Sequence, residues 1–145
     1  MVADMRVLIA DDHIGVRSAI RHVLRERISD SKVVEAANLG ELFAESYRQQ
    51  PNLVLLDWEL SGLPSAATMS LAASNPKRRQ SELRRNVVLF GLHNLRSHPW
   101  VIVLSSHPEA HQVALFVGAD AFVLKGGEPQ ELFDTLQSLM KGKKK

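Results

Sequence analysis

The chain has 145 residues, 45% of them apolar and 23% charged, with a formal net charge of +2; this suits one domain with a substantial core. It has no cysteine, which excludes disulfides, thiolate metal sites and cysteine nucleophiles. No apolar run reaches the ~18 residues of a membrane span, and the start MVADMRVLIADDH lacks a signal-peptide layout, so the expected compartment is the cytoplasm.

Arg6–Ala10 (RVLIA) is a short apolar run ending in two aspartates, the pattern of a strand buried on both faces. From His13 to about Ile28, Val16, Ile20, Val23 and Leu24 keep helical spacing. Lys32–Ala36 reads as a second strand, followed by a helix over about Leu39 to Gln49 that Pro51 stops. Leu53–Leu56 makes a third strand ending at Asp57, and Val101–Leu104 a fourth ending at Ser105 and Ser106. A helix over Glu109–Val117 closes at Gly118, and Ala121–Leu124 is a fifth strand ending at Lys125. The last helix spans about Pro129 to Met140, with Leu132, Phe133, Leu136, Leu139 and Met140 on one face.

The stretch from Trp58 to Pro99 is less regular. Ser61-Gly62-Leu63-Pro64 is loop chemistry, and the pattern permits a short helix over Ala66–Ala73. Leu83, Val87, Val88, Leu92 and Leu95 then mark a crossover helix, roughly Ser81–Arg96, preceded by an inserted basic loop at about 65–80. Five of the 18 basic residues fall between Lys77 and Arg85, and four more in the tail at 141–145. The remaining body is acidic, which argues against a nucleic-acid-binding domain. The expected organisation is therefore one domain over 1–140 followed by a basic tail.

Strands alternating with helices indicate an α/β domain with a parallel sheet, whose ligands bind outside the carboxyl ends of the strands. Those ends carry Asp11-Asp12, Asp57, Ser105 and Lys125. Each has an ordinary reading on its own, because aspartates at strand ends commonly cap helices. Together they suit a hard divalent cation, magnesium by its oxygen ligands, and a phosphoryl group held by a lysine and a hydroxyl. Asp57, alone on a middle strand, is the candidate nucleophile. The six histidines show no metal spacing; His107 and His111 are four apart without a third ligand.

The pieces VLIADDH (Val7–His13), LVLLDWELSG (Leu53–Gly62), VIVLSSH (Val101–His107) and GADAFVLKG (Gly118–Gly126) resemble the response-regulator receiver domain of two-component signalling. Within that family they look most like receivers that precede a helix-turn-helix output domain, and the expectation here is a stand-alone regulator. The resemblance implies a flavodoxin-like (βα)5 three-layer sandwich with a five-stranded parallel sheet of order 2-1-3-4-5. It implies Asp57 as phosphoacceptor, with Asp12 a direct magnesium ligand and Asp11 acting through water. The Glu59 backbone carbonyl would be the third protein ligand, and Lys125 the phosphate contact. Ser105 and Phe122 would be the switch residues. The phosphoryl donor would be a sensor histidine kinase or a phosphotransfer protein, with a homodimer or a downstream protein as output.

Three departures stand out. Ser61 replaces the proline usual after the acceptor loop; Asp57 to Ser105 is long at 48 residues, and Ser105 to Lys125 slightly short at 20. Two rivals remain beside a self-phosphorylating signalling domain. One is a phosphorylation-independent docking module of the same fold. The other is a magnesium-dependent aspartyl-phosphate phosphatase, with Glu59 as its second acid.

Overall fold

The computed structural model describes residues 5–28, 30–63 and 76–142, with the backbone alone over 76–84. The helix expected over Ala66–Ala73, most of the basic insertion and the last three tail residues lie outside these. The elements in chain order are β1 (Arg6–Ala10), α1 (Ile14–Arg27), β2 (Lys32–Ala36), α2 (Leu39–Gln49) and β3 (Leu53–Asp57). After them come α3 (Pro76–His93), β4 (Trp100–Ser105), a 3-10 turn (Pro108–Ala110), α4 (His111–Phe116), β5 (Ala121–Leu124) and α5 (Pro129–Gly142).

The strands form one parallel sheet in the order β2-β1-β3-β4-β5, the flavodoxin-like arrangement expected. Period-two alternation divides its side chains between two helical layers. Leu8, Val54, Leu56, Val101 and Val103 face a layer containing Leu42 of α2, Leu89 and Leu92 of α3 and Ala114 of α4. Val7, Ile9, Leu53, Leu55, Ile102 and Leu104 face Leu24 of α1 and Leu132 and Leu136 of α5. Every residue of β3 is buried, as a central strand covered on both faces requires. Each enclosed leucine there stabilises the fold by about 2 kcal/mol.

Helix α3 differs from the expected Ser81–Arg96. It begins at Pro76 and so takes in Lys77, Arg78 and Arg79, which the sequence pattern assigned to the basic loop. Proline suits a first helical turn, where its missing N–H costs nothing. The buried face also turns: Val88, Leu89, Leu92 and Leu95 are enclosed together with Arg85, while Val87 is exposed. Helix α2 starts as its residues demand, with Asn38 accepting the Glu41 N–H at 2.9 Å and Glu41 reaching back to the Ala37 N–H at 2.7 Å.

Helix α1 is tied to β2 by Glu35, which accepts from Arg17 at 2.8 Å and Arg21 at 2.7 Å. The hydrogen bond from Arg17 is the main reason the Glu35 carboxyl titrates below its usual value, with burial opposing and Arg21 assisting. A depressed folded pKa means stability that is present above the unfolded value and lost as pH falls through the folded one. We expect Arg17→Ala to lower the urea midpoint at pH 7, and the difference to narrow as pH falls through the folded Glu35 pKa. A gap unchanged at acid pH would show that Arg17 acts through its bond to the Asp11 carbonyl or its packing and not through Glu35.

Candidate functional site

The sheet places the strand ends side by side, and backbone bonds extend the ladder into the site. Asp11 N–H donates to Ala36 O at 3.0 Å, Trp58 N–H to Leu104 O at 2.8 Å and Lys125 N–H to Ser105 O at 2.8 Å. These bonds fix three site segments on rigid backbone. Asp11, Asp57 and Ser105 are all fully or almost fully buried.

Lys125 lies between the two buried aspartates, its Nζ 2.8 Å from Asp57 Oδ1 and 2.8 Å from Asp11 Oδ2. Burial is the largest influence on its ammonium and pulls the pKa down. The two carboxylates outweigh it and leave Lys125 above the usual lysine value. Asp57 Oδ1 also accepts the Glu59 N–H at 3.0 Å, and Asp11 Oδ1 accepts the His13 N–H at 2.9 Å. Arg17 donates to the Asp11 carbonyl at 2.6 Å.

Asp12 is placed apart from this group. It is exposed, and its carboxylate accepts Ser61 N–H at 2.8 Å and Ser61 Oγ–H at 2.6 Å. Burial is the largest influence on its carboxyl and pushes the pKa up, but the two Ser61 bonds together hold it below its usual value. Among the described residues, the cluster able to hold a cation is Asp11, His13 and Asp57, with ligand atoms within 4.8 Å of one another. His13 joins this cluster although its spacing in the sequence carries no signal for it. Asp11 and Asp57 bring two buried carboxylates against one lysine, so a hard divalent cation fits the charge and the oxygen donors.

The Glu59 and Ser105 side chains also meet, close enough to Asp57 for Glu59 to feel its charge. Ser105 Oγ–H donates to Glu59 Oε2 at 2.9 Å, while Ser105 Oγ accepts the His107 N–H at 3.0 Å. Burial raises the Glu59 pKa; the Ser105 bond opposes this and the Asp57 charge adds to it. Arg85 of α3 is fully buried, with its guanidinium 4.3 Å from the centre of the Trp58 ring. Burial lowers its pKa to about 10, against the pull of Glu59 and Asp57, so it remains a cation at neutral pH. The sequence held a signal for it: Arg85 precedes Val88, Leu89 and Leu92 at helical spacing, a charge on an apolar stripe. Phe122 is half-buried on β5 and stacks on His111 of α4, with ring centres 4.8 Å apart and planes 8° from parallel.

No protein-family model matches the chain. It is 29% identical over 138 residues to the nitrate/nitrite response regulator protein NarL of Escherichia coli, covering 94% of this chain and 55% of that protein. It is 28% identical over 144 residues to the response regulator UvrY of Escherichia coli, covering 97% and 56%. The chain thus spans about half the length of the curated relatives it matches. Among solved structures, the isolated receiver domain of RcsB from Salmonella enterica aligns with a TM-score of 0.71 at 24% identity, covering 98% of this chain and 92% of that one. A CheY-like receiver domain from Methanospirillum hungatei aligns at 0.70 and 22%, covering 97% and 96%. At these identities the structural likeness speaks for the fold. The sequence relatives are response regulators, and the solved structures share the receiver-domain fold, so the chain is similar to that family in sequence and in fold. No helix among the described residues is long and apolar enough to cross a membrane.

Proposed function

We propose that the chain receives a phosphoryl group on Asp57 from a phosphohistidine of a sensor histidine kinase or phosphotransfer protein, and signals through the change that follows. The observation that carries this reading is Lys125, whose ammonium joins the Asp57 and Asp11 carboxylates at 2.8 Å each. Asp57 Oδ1 is committed to Lys125 and to the Glu59 N–H, which leaves Oδ2 as the nucleophile. A P–O bond forms at Oδ2 as the P–N bond of the donor breaks, and the donor imidazole leaves. Lys125 then faces the phosphoryl oxygens, where positioning and charge neutralisation carry most of the catalysis.

Magnesium would be held by Asp12, Asp57 and the Glu59 carbonyl, with Asp11 acting through water; when bound it neutralises the incoming oxygens. Asp12 accepts one Ser61 bond on each oxygen, and its remaining lone pairs would serve the ion. In this reading the chain is a signalling domain that acts on itself, and any autophosphatase activity belongs to the same Asp57 centre. Ser105 and Phe122 carry the change toward β4, β5 and their helices, where a second copy or a downstream protein would read it.

Incubation with acetyl phosphate and magnesium tests the reading through the intact mass. Wild type should gain one phosphoryl group, and Asp57→Asn, which keeps the shape without the anionic nucleophile, should gain none. Equal labelling of the two proteins would overturn the assignment.

A further inference from the structure

A hydroxyl that must move to a phosphoryl group needs a free proton to donate. Ser105 has none to spare. Its one O–H is given to Glu59 Oε2 at 2.9 Å, and its oxygen receives the His107 N–H at 3.0 Å, while Ser105 itself is fully buried. Glu59 stands two residues after Asp57, and the residue between them, Trp58, carries the Arg85 guanidinium 4.3 Å from its ring centre. Trp58 and Arg85 are both enclosed, so this end of the acceptor loop is braced against α3.

We infer that Glu59 is a latch holding the Ser105 hydroxyl away from Asp57 in the unmodified protein, and that Arg85, stacked on Trp58, is the positioning residue that braces it. The inference deepens the proposed function and rests on Asp57 being the acceptor. A phosphoryl group on Asp57 would place new negative charge beside the Glu59 carboxylate and offer Ser105 a competing acceptor. Breaking the Glu59–Ser105 bond is then part of the work of switching. The phosphoryl group has to outbid a hydrogen bond to a charged acceptor, which is stronger than one between neutral groups.

The latch can be read without any phosphodonor, because the His107 amide reports directly on the Ser105 oxygen. Glu59→Ala should move the His107 and Phe122 amide resonances of the metal-free protein. Glu59→Gln, which keeps an acceptor oxygen, should move them less. Arg85→Met, which keeps the volume of the stem, should move them in the same direction as Glu59→Ala. In a Ser105→Ala background, adding Glu59→Ala should leave the His107 amide where Ser105→Ala alone put it. With magnesium present, Glu59→Ala should tighten beryllofluoride binding by about tenfold, and by clearly less without the Ser105 hydroxyl. Equal displacements in both backgrounds would mean a through-space charge effect and overturn the latch, as would none in either. An unmoved His107 amide in Arg85→Met would overturn the role of Arg85. A wild type that binds no beryllofluoride would instead sink the reading of Asp57, and the metal-free comparison would still decide the latch.

Discussion

Lys125→Met is expected to destabilise the metal-free protein by about 3 kcal/mol at neutral pH, a fall of about 10 °C in Tm. The ammonium is the cation lying between Asp11 and Asp57, both almost completely withdrawn from water. Removing it leaves two buried carboxylates facing each other, which is far more costly than losing a surface ion pair. The pH dependence follows from the raised Lys125 pKa. Its contribution is complete below the unfolded lysine value and disappears as pH rises through the folded one. Urea melts of wild type and variant should therefore differ most near neutrality and converge above the lysine range. Magnesium should recover part of the loss by supplying positive charge to the same carboxylates. Equal stability at pH 7 would mean that the site is solvated enough to carry its own charge.

Gly62→Ala is expected to cost about 3 kcal/mol, combining backbone strain with overpacking. Gly62 has φ of +105°, and a Cβ there would come within 2.6 Å of Leu39 Cβ in the first turn of α2. The chain cannot easily yield, because Leu39 N–H donates to Ser61 O at 2.8 Å and Ser61 is bonded to Asp12. The same substitution at Gly91, inside α3 with nothing within 4 Å of its missing Cβ, should instead stabilise by about 0.5–1 kcal/mol. Thermal unfolding of the two variants separates them. A mild effect at Gly62 would show that the loop after β3 relaxes freely and does not hold Asp12.

Four of the strands were legible because each is a short apolar run cut off by a polar residue, and the proposed site is drawn from those interrupting residues. Asp11, Asp57, Ser105 and Lys125 could be named for that reason. What the sequence concealed depends on contacts between distant segments. The Asp12 carboxylate lies 49 positions from its partner Ser61, and no local pattern joins them. Arg85 looked like one more charge in a basic stretch, although its spacing to Val88, Leu89 and Leu92 puts it on the buried face. The early start of α3 was hidden because its first turns carry Lys77, Arg78 and Arg79, and the sequence there shows no apolar stripe. Phe122 was named for a switching role from resemblance, but its stacking on His111 depends on a short helix whose position follows from the fold.

The most direct measurement is the position of the phosphoryl group. Wild type treated with acetyl phosphate and magnesium, then reduced with borohydride, converts an aspartyl phosphate into homoserine that peptide sequencing by mass can locate. The account predicts homoserine at position 57 and at no other carboxylate. Homoserine at Asp11 or Asp12, or a label resistant to borohydride, would contradict it.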